Sequence, residues 1–578
     1  MFTADVCENH RDMSLQLYGI DPFYKYSAPG VSFASGLKYS NQTLELLRSP
    51  EMYKLLTNGL RGGNCNVFKR YACMRLKTVI KYLDANALYS WAMCQYLPTS
   101  GHREIEWNDT LEQQLQHAVD TFDDYYERAS FYFDCFLYEN REEVESTLKF
   151  PFGPCADKGY YFEVDTEPLT EEQMNYFNDY PLLPEKAKVS TDMLSPYCKQ
   201  AKTKKTKQNK EKVKEDEAEK LLQTLRCKHK YLIHYRQLVL AMHLGIKIKK
   251  IHKVIEYNQA PWLRGYILKN TIERAKAQSK FEKDFFKLLC NAIFGKTMQN
   301  VFKQTKSELV IGADNLVNKL NRSALVQRWD RISNKLFLVH KYHQTVKLNQ
   351  PIYVGFSILD LSKYHMAVYH YKVMKPMIPD IKVCYTDTDS LIYEIPLTDE
   401  EYYEVCNKKR EWFDNSELPK GHPYYYADYE KIPGRFKDEL KGVEVKEFIG
   451  LGPKMYCVNV KKGDKEEYIV KGKGIAKVVL KSLVFKDFSN VLVRRDFEQV
   501  ENDYTKEIIC IQSKKHTLRT VRMHKVTLSA ADNKRYILSD GIHSLAYGHC
   551  YIEKLEKGEI TEEEVLVKLG YTDRYIDI

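Results

Sequence analysis

The sequence predicts an α+β chain, and three observations lead there. Strand-like segments recur far apart, around 79–84, 160–165, 383–393 and 455–470. Long helical patterns stand between them, near 264–300 and 356–374. Strands from distant parts of a chain with helices inserted between them point to a sheet that collects residues from the whole molecule. The third observation is the stretch VCYTDTDSLIY (383–393), where β-branched and aromatic residues flank a polar tip carrying Asp387 and Asp389. That pattern reads as a strand, a tight turn and a second strand.

Composition bounds the possibilities. The chain has 578 residues, 44% hydrophobic, enough for several domains or one multi-lobed enzyme. Lysine and arginine number 88 against 78 acidic residues, a formal charge of +10, which suits a polyanionic partner without demanding one. The 43 tyrosines add aromatic faces of the kind that stack on bases, although most aromatics serve cores. Fourteen scattered cysteines with no CxxC pair argue against a zinc module and for reduced thiols. That favours an intracellular setting. No secretory signal opens the chain and no apolar run is long enough to span a bilayer, so no membrane partner is expected.

In TVIKYLDANALYSWAM (78–93), residues 79–83 read as a strand and 85–93 as a helix, which places Asp84 at the junction. Aspartate is a good N-cap there, and a strand end is also where open sheets gather ligands. Tyr89, five residues on, is either core or a ring beneath a nucleotide sugar, where it would exclude a 2′-hydroxyl. YYFEVD (160–165) reads as a strand, and 199–220, lysine-rich and then mixed in charge, reads as a solvated insertion. YLIHYRQLVLAMHL (231–244) reads as a helix.

SKFEKDFFKLLCNAIFGK (279–296) opens with a capping box, Ser279 and Glu282. Phe281, Phe285, Leu288, Leu289 and Ala292 should face a core, while Lys280, Lys283, Lys287 and Asn291 form a second stripe. Such a stripe is either an ordinary wet face or a cationic rail matched to a triphosphate.

In the hairpin, side chains at i and i+2 of extended chain share a face, so Asp387 and Asp389 repel unless a cation intervenes. They are either a solvent-facing turn or half of a divalent-metal site. With Asp84, the three aspartates could hold two Mg²⁺ ions, with Mn²⁺ an alternative, in a clamp on an in-line displacement. The lysine stripe would neutralise the departing pyrophosphate.

The ordered set DANALYS, KLLCNAIFGK and YTDTDS resembles motifs A, B and C of family B DNA polymerases. LRGG (60–63) looks like the tyrosine-x-Gly-Gly region of the protein-primed branch, and KMY (454–456) like its lysine-x-tyrosine motif. Longer blocks, among them QPIYVGFSILDLSKYH and GRFKDELKG, are similar to polymerases of Maverick/Polinton-type transposons and related viruses.

The resemblance implies a right hand with an antiparallel palm sheet and two protein-primed-type insertions. Residues 1–59 would be the end of an exonuclease domain and a linker. The palm would take 60–100, a strand within 101–262 and 351–480. The fingers would be 263–300, the insertions would lie in 101–262 and 301–350, and the thumb and tail in 481–578. Asp84 and Asp389 would ligate metal, with Asp387 supporting them as part of the catalytic set. Leu88, Tyr89, Arg274, Lys283, Lys287 and Asn291 would meet the nucleotide. Arg61, Gly62, Gly63, Phe294, Gly295, Lys296, Tyr385, Lys454 and Tyr456 would line the DNA.

Expected partners are a template-primer, deoxynucleoside triphosphates and a terminal protein primer, with a nuclear setting favoured over a cytoplasmic one. Ala292 and Phe294 stand where motif B usually has serine and tyrosine, and Ser90 stands where motif A has proline. The acidic motifs of a 3′–5′ exonuclease are missing, so no proofreading is expected of this polypeptide. The alternative function is a decayed nucleic-acid-binding remnant. Reverse transcription is disfavoured, because those enzymes place two aspartates side by side.

Overall fold

The computed structural model describes residues 2–124, 145–205, 211–213, 218–463, 465–493, 499, 503–514 and 517–571. Two helices, α1 (Phe2–Tyr18) and α2 (Ala28–Ser40), open the chain. Three strands follow, β1 (Cys65–Val67), β2 (Tyr71–Cys73) and β3 (Val79–Ala85), and β3 runs through a turn into α3 (Leu88–Met93). Next come β4 (Leu97–Ile105), β5 (Lys158–Thr166), β6 (Tyr231–His234), α4 (Tyr235–His243) and β7 (Ile248–Ala260). The helices α5 (Arg264–Lys276) and α6 (Lys280–Thr297) pack together and on α2.

A small module holds β8 (Thr305–Ile311), α7 (Ala313–Asn321), β9 (Val326–Arg331) and β10 (Leu336–Tyr342). After it come α8 (Ile352–Val368), then the hairpin β11 (Lys382–Asp387) and β12 (Ser390–Ile395). Four more strands follow: β13 (Phe436–Asp438), β14 (Glu444–Gly452), β15 (Met455–Lys462) and β16 (Lys465–Gly472).

The strands assemble as the sequence pattern requires, but into more than one sheet. The central sheet has the order β1-β11-β12-β3-β13, with every neighbour antiparallel. A second sheet, β2-β14-β15-β16, packs its apolar side chains against it: Val67, Ile80, Tyr385 and Ile392 meet Phe448, Tyr456 and Val458 in one cluster. The strand near 160 departs from the expectation that it joins the aspartates. It sits instead in a third sheet, β6-β5-β7-β4. Residues 231–244 also depart from a single helix, because β6 pairs with β5 before α4 begins at Tyr235.

Of the run 199–220, residues 206–210 and 214–217 lie outside the described residues. The described parts include the end of the helix Pro196–Lys202 and a short ladder, Thr203–Lys205 with Glu211–Val213. The final tail, 572–578, also lies outside them. No described helix is long and apolar enough to cross a membrane.

The helix α8 organises the core. Every one of its residues is buried, as expected for a helix apolar on all sides. Its few polar groups are spent on structure. Asp360 accepts from the His234 amide at 3.1 Å, and Lys363 donates to the Arg61 carbonyl at 2.7 Å. Both bonds tie distant segments to one rigid rod.

Arg70 does similar work for the second sheet. It is almost fully buried and donates to the carbonyls of Gly450 (3.3 Å), Leu451 (3.0 Å), Ala530 (2.9 Å) and Gly541 (3.0 Å). It thereby fastens the C-terminal segment to β14. Arg70→Met leaves those acceptors unpaired. It should cost about 3–5 kcal/mol, read as a lower urea midpoint or loss of soluble protein.

Candidate active site

The geometry starts at the tip of the β11–β12 hairpin. Two residues, Thr388 and Asp389, connect the strands, and Asp387 pairs with Ser390. Thr388 takes φ 66°, a conformation β-branched residues rarely adopt. The Asp389 amide donates to the Asp387 carbonyl at 2.8 Å, which closes a γ-turn around Thr388. Such a turn stores about 1–3 kcal/mol and persists only where its surroundings hold it. They do so here: the Thr388 amide donates to the Asn64 carbonyl and the Ala85 amide to the Asp389 carbonyl, both at 2.7 Å.

Those bonds create one row across the central sheet. Cys65 faces Asp387, Asp387 faces Ser390, Ser390 faces Asp84, and Asp84 faces Lys437. Directly opposed residues of antiparallel strands share a face. Asp84, about 300 residues upstream of the hairpin, therefore stands beside its tip. Burial, and then the neighbouring Asp389, push the Asp84 carboxyl up to about 7. Burial also raises Asp389, with Asp387 adding to it. Two half-desolvated carboxylates that disfavour each other's charge make a site that a cation would stabilise.

Asp387 is disposed differently. Lys454 holds both its oxygens, one at 2.6 Å. Lys454 occupies the second position of the Pro453–Lys454 turn between β14 and β15 with φ 60°, as in a type II turn. The Tyr385 hydroxyl, 3.5 Å from Asp387, accepts from the Lys454 amide at 3.3 Å. Asp387 is thus closely paired by Lys454, while all three aspartates remain half-buried.

Helix α3 brings Tyr89 to this row. Ala87, with φ 39°, turns the chain out of β3 into the helix. Burial, and then Asp389 and Asp387, push the Tyr89 phenol up to about 12, which records how near it stands to them. Its ring stacks on Phe294 of α6 with centroids 4.3 Å apart. That contact joins α6 to the site. The capping box Ser279–Glu282 starts α6 as the sequence indicates. At 100° per residue, Lys283, Lys287, Asn291 and Phe294 fall within an arc of about 80°, and Lys287 stands about 10 Å along the axis from Phe294. Lys280, Lys283, Lys287 and Asn291 are all exposed.

The core face of α6 differs in detail from the expected one. Phe285, Phe286, Leu289, Cys290 and Ile293 are buried, Phe281 and Ala292 are half-buried, and Leu288 is 46% exposed. Packing on both α2 and α5 rotates the buried arc towards Phe286 and Cys290. Arg274 is exposed on the last turn of α5.

Several residues expected to touch DNA or nucleotide are committed to the interior. The Arg61 guanidinium donates to the Leu232 carbonyl at 2.8 Å and lies 3.6 Å over the Tyr231 ring. Tyr385 is fully buried, and Tyr456 pairs its hydroxyl with that of Tyr82 at 3.0 Å. Leu88 is core. Lys296 is half-buried and donates to Gln299 at 2.6 Å.

The two glycines of LRGG serve different ends. A methyl group at Gly63 would overlap Thr388, so Gly63 makes room for the strained tip, whereas Gly62 faces open space. Gly295 is open too.

Two residues were not singled out from the sequence. Lys437 reaches Asp84 at 3.6 Å and Glu439 at 3.5 Å. Both lie within the block GRFKDELKG, but only strand pairing places Lys437 beside Asp84. Among the described residues no three histidine, cysteine, aspartate or glutamate side chains are gathered as a metal held by protein alone would need. Two carboxylates suffice for an ion whose shell is completed by substrate phosphates.

No family model matches this chain, and no curated protein does. Among solved structures it is similar to phi29 DNA polymerase complexed with primer-template DNA, at 13% identity and a TM-score of 0.47, covering 89% of this chain and 70% of that one. The ternary complex of that polymerase with primer-template DNA and incoming nucleotide gives 13%, 0.47, 88% and 69%. Its orthorhombic crystal form gives 13%, 0.45, 82% and 65%.

The packing of Gly63 under Thr388 is testable by a mutant cycle. Gly63→Ala should destabilise the protein by about 1–3 kcal/mol through overpacking. Thr388→Gly, which removes the overlapping side chain and tolerates the positive φ, should recover much of that loss in the double variant. Additive urea-midpoint changes would show the two sites to be uncoupled.

Proposed function

We propose that this chain is a DNA-directed DNA polymerase that transfers nucleotidyl groups from deoxynucleoside triphosphates to a primer 3′-hydroxyl. One observation carries the reading: Asp84 and Asp389, from segments about 300 residues apart, stand together at the hairpin-tip end of the central sheet, with the Tyr89–Phe294 stack linking them to an exposed lysine face. Asp84 and Asp389 would hold the divalent ions, two Mg²⁺ with Mn²⁺ as an alternative. When bound, these ions supply positive charge to the attacking and departing oxygens.

The remaining work falls to the chain itself. Lys283 and Lys287 offset the charge of the triphosphate, and Asn291 lies beside them towards Phe294. Arg274 adds a further cation from the neighbouring helix. Tyr89, fixed by its stack, closes the space where a ribose 2′-hydroxyl would sit. Tyr385 and Lys454 position Asp387, which keeps the hairpin tip fixed. Gly62 and Gly295 offer backbone that a polynucleotide can approach closely, since neither is required by packing nor by a positive φ.

In this reading the central and second sheets form the palm. The pair α5–α6 forms the fingers, the β8–β10 module is an insertion, and the thumb begins near 481. The motif resemblance extends the reading to protein-primed replication of a mobile element or virus, with a terminal protein supplying the first hydroxyl.

Two measurements test this. Asp84→Asn and Asp389→Asn should each lower extension of a primed template by on the order of a thousandfold or more with circular dichroism unchanged. Extension by the double variant at the wild-type rate overturns the reading. Tyr89→Val should raise the use of ribonucleoside triphosphates relative to deoxynucleoside triphosphates by on the order of a hundredfold, measured as the ratio of kcat/KM values. An unchanged ratio removes Tyr89 from the sugar site.

A further inference from the structure

Lys437 occupies an unusual place. It lies directly opposite Asp84 in the β3–β13 ladder, and the alternation of the strand turns it to the same face. Its neighbours fix it there. Phe436 points to the other face, where its ring stacks on Tyr369 with centroids 3.4 Å apart. Asp438 is held by the amides of Leu440 at 2.9 Å and Gly442 at 3.0 Å. The side chain is 22% exposed, and its ammonium group reaches Asp84 at 3.6 Å and Glu439 at 3.5 Å. Glu439 is itself set by its amide, which donates to the Tyr82 carbonyl at 2.9 Å.

The three aspartates are therefore not equivalent. Lys454 takes Asp387 and Lys437 takes Asp84, while no lysine or arginine ion pair reaches Asp389 among the described residues. The two lysines differ in what they neutralise. Lys454 binds both oxygens of Asp387 in close contact. Lys437 stands at longer range on a carboxylate that must face substrate if the function proposed above is right.

We propose that Lys437 is a built-in counter-ion that holds the place of a divalent cation beside Asp84 and yields it when the cation binds, passing its charge to Glu439. This rests on Asp84 being a metal ligand. It makes Lys437 a positioning residue that sets how much divalent ion the site requires. A cation so placed repels an incoming ion, so its removal strengthens metal binding. A residue that merely supported the fold would do the reverse.

The test uses Mn²⁺ alone, titrated into the full chain and followed by loss of the free-ion electron paramagnetic resonance signal. Lys437→Met should bind Mn²⁺ on the order of tenfold more tightly than wild type. Lys437→Gln should do the same if the methionine variant is poorly soluble, and Lys437→Arg should match wild type. The Mg²⁺ concentration for half-maximal primer extension should fall by a similar factor in the neutral variants. Neutral variants that bind Mn²⁺ no more tightly, while Asp84→Asn abolishes binding, overturn the role of Lys437 and leave the polymerase site standing. Binding indifferent to Asp84→Asn overturns both; where the chain alone holds no Mn²⁺, the Mg²⁺ requirement of extension decides, and no fall in the neutral variants overturns the role of Lys437.

Discussion

The register between β12 and β3 is the constraint on which the site depends. Ser390 opposite Asp84 fixes which residues share a row, and a slip of one position would turn Asp84 to the opposite face. The register is secured from both sides. The hairpin tip is bonded to Ala85 and Asn64 by backbone amides, and the reverse side is a close-packed apolar layer that includes Leu83, Leu391 and Tyr393. A pair of repelling carboxylates can be kept half-buried only because the scaffold beneath them is this firmly determined. The electrostatic cost is met by the fold as a whole.

Charge is arranged accordingly. Carboxylates crowd the hairpin-tip end of the central sheet, and each cation near them has one defined place: Lys454 under Asp387 and Lys437 beside Asp84. Lys280, Lys283 and Lys287 of α6 are exposed. The Tyr89–Phe294 stack is a direct side-chain contact between α3 and α6 beside the carboxylate row.

Much of this was legible in the residues, for reasons that can be named. The DTDS tip announced a hairpin because turn chemistry and flanking β-branched residues agree, and Ser279 with Glu282 announced a helix start. Other features depended on tertiary context. Residues 231–244 are apolar throughout, so periodicity could not separate the strand Tyr231–His234 from the helix that follows. Leu288 fits a core stripe in isolation, but two packing partners shifted the buried arc of α6. Arg61 and Tyr456 sit within recognisable motifs, yet their side chains are occupied by Leu232 and Tyr82. Lys437 acquires meaning only from the strand it faces. What sequence pattern conveys well is local geometry; what it conveys poorly is which of several polar groups receives which partner.

The same long-range pairing bears on synthesis. Both neighbours of β3, β12 and β13, are encoded some 300 residues or more after it. At ribosomal rates of about 5–20 residues per second, the strand VIKYLDA emerges roughly 15–60 s before either partner exists. During that interval an apolar ribbon with two open edges must be shielded, by transient contact with α3 or by a chaperone. The polypeptide's yield in a cell should therefore respond to translation speed between these segments as much as to the stability of the finished molecule.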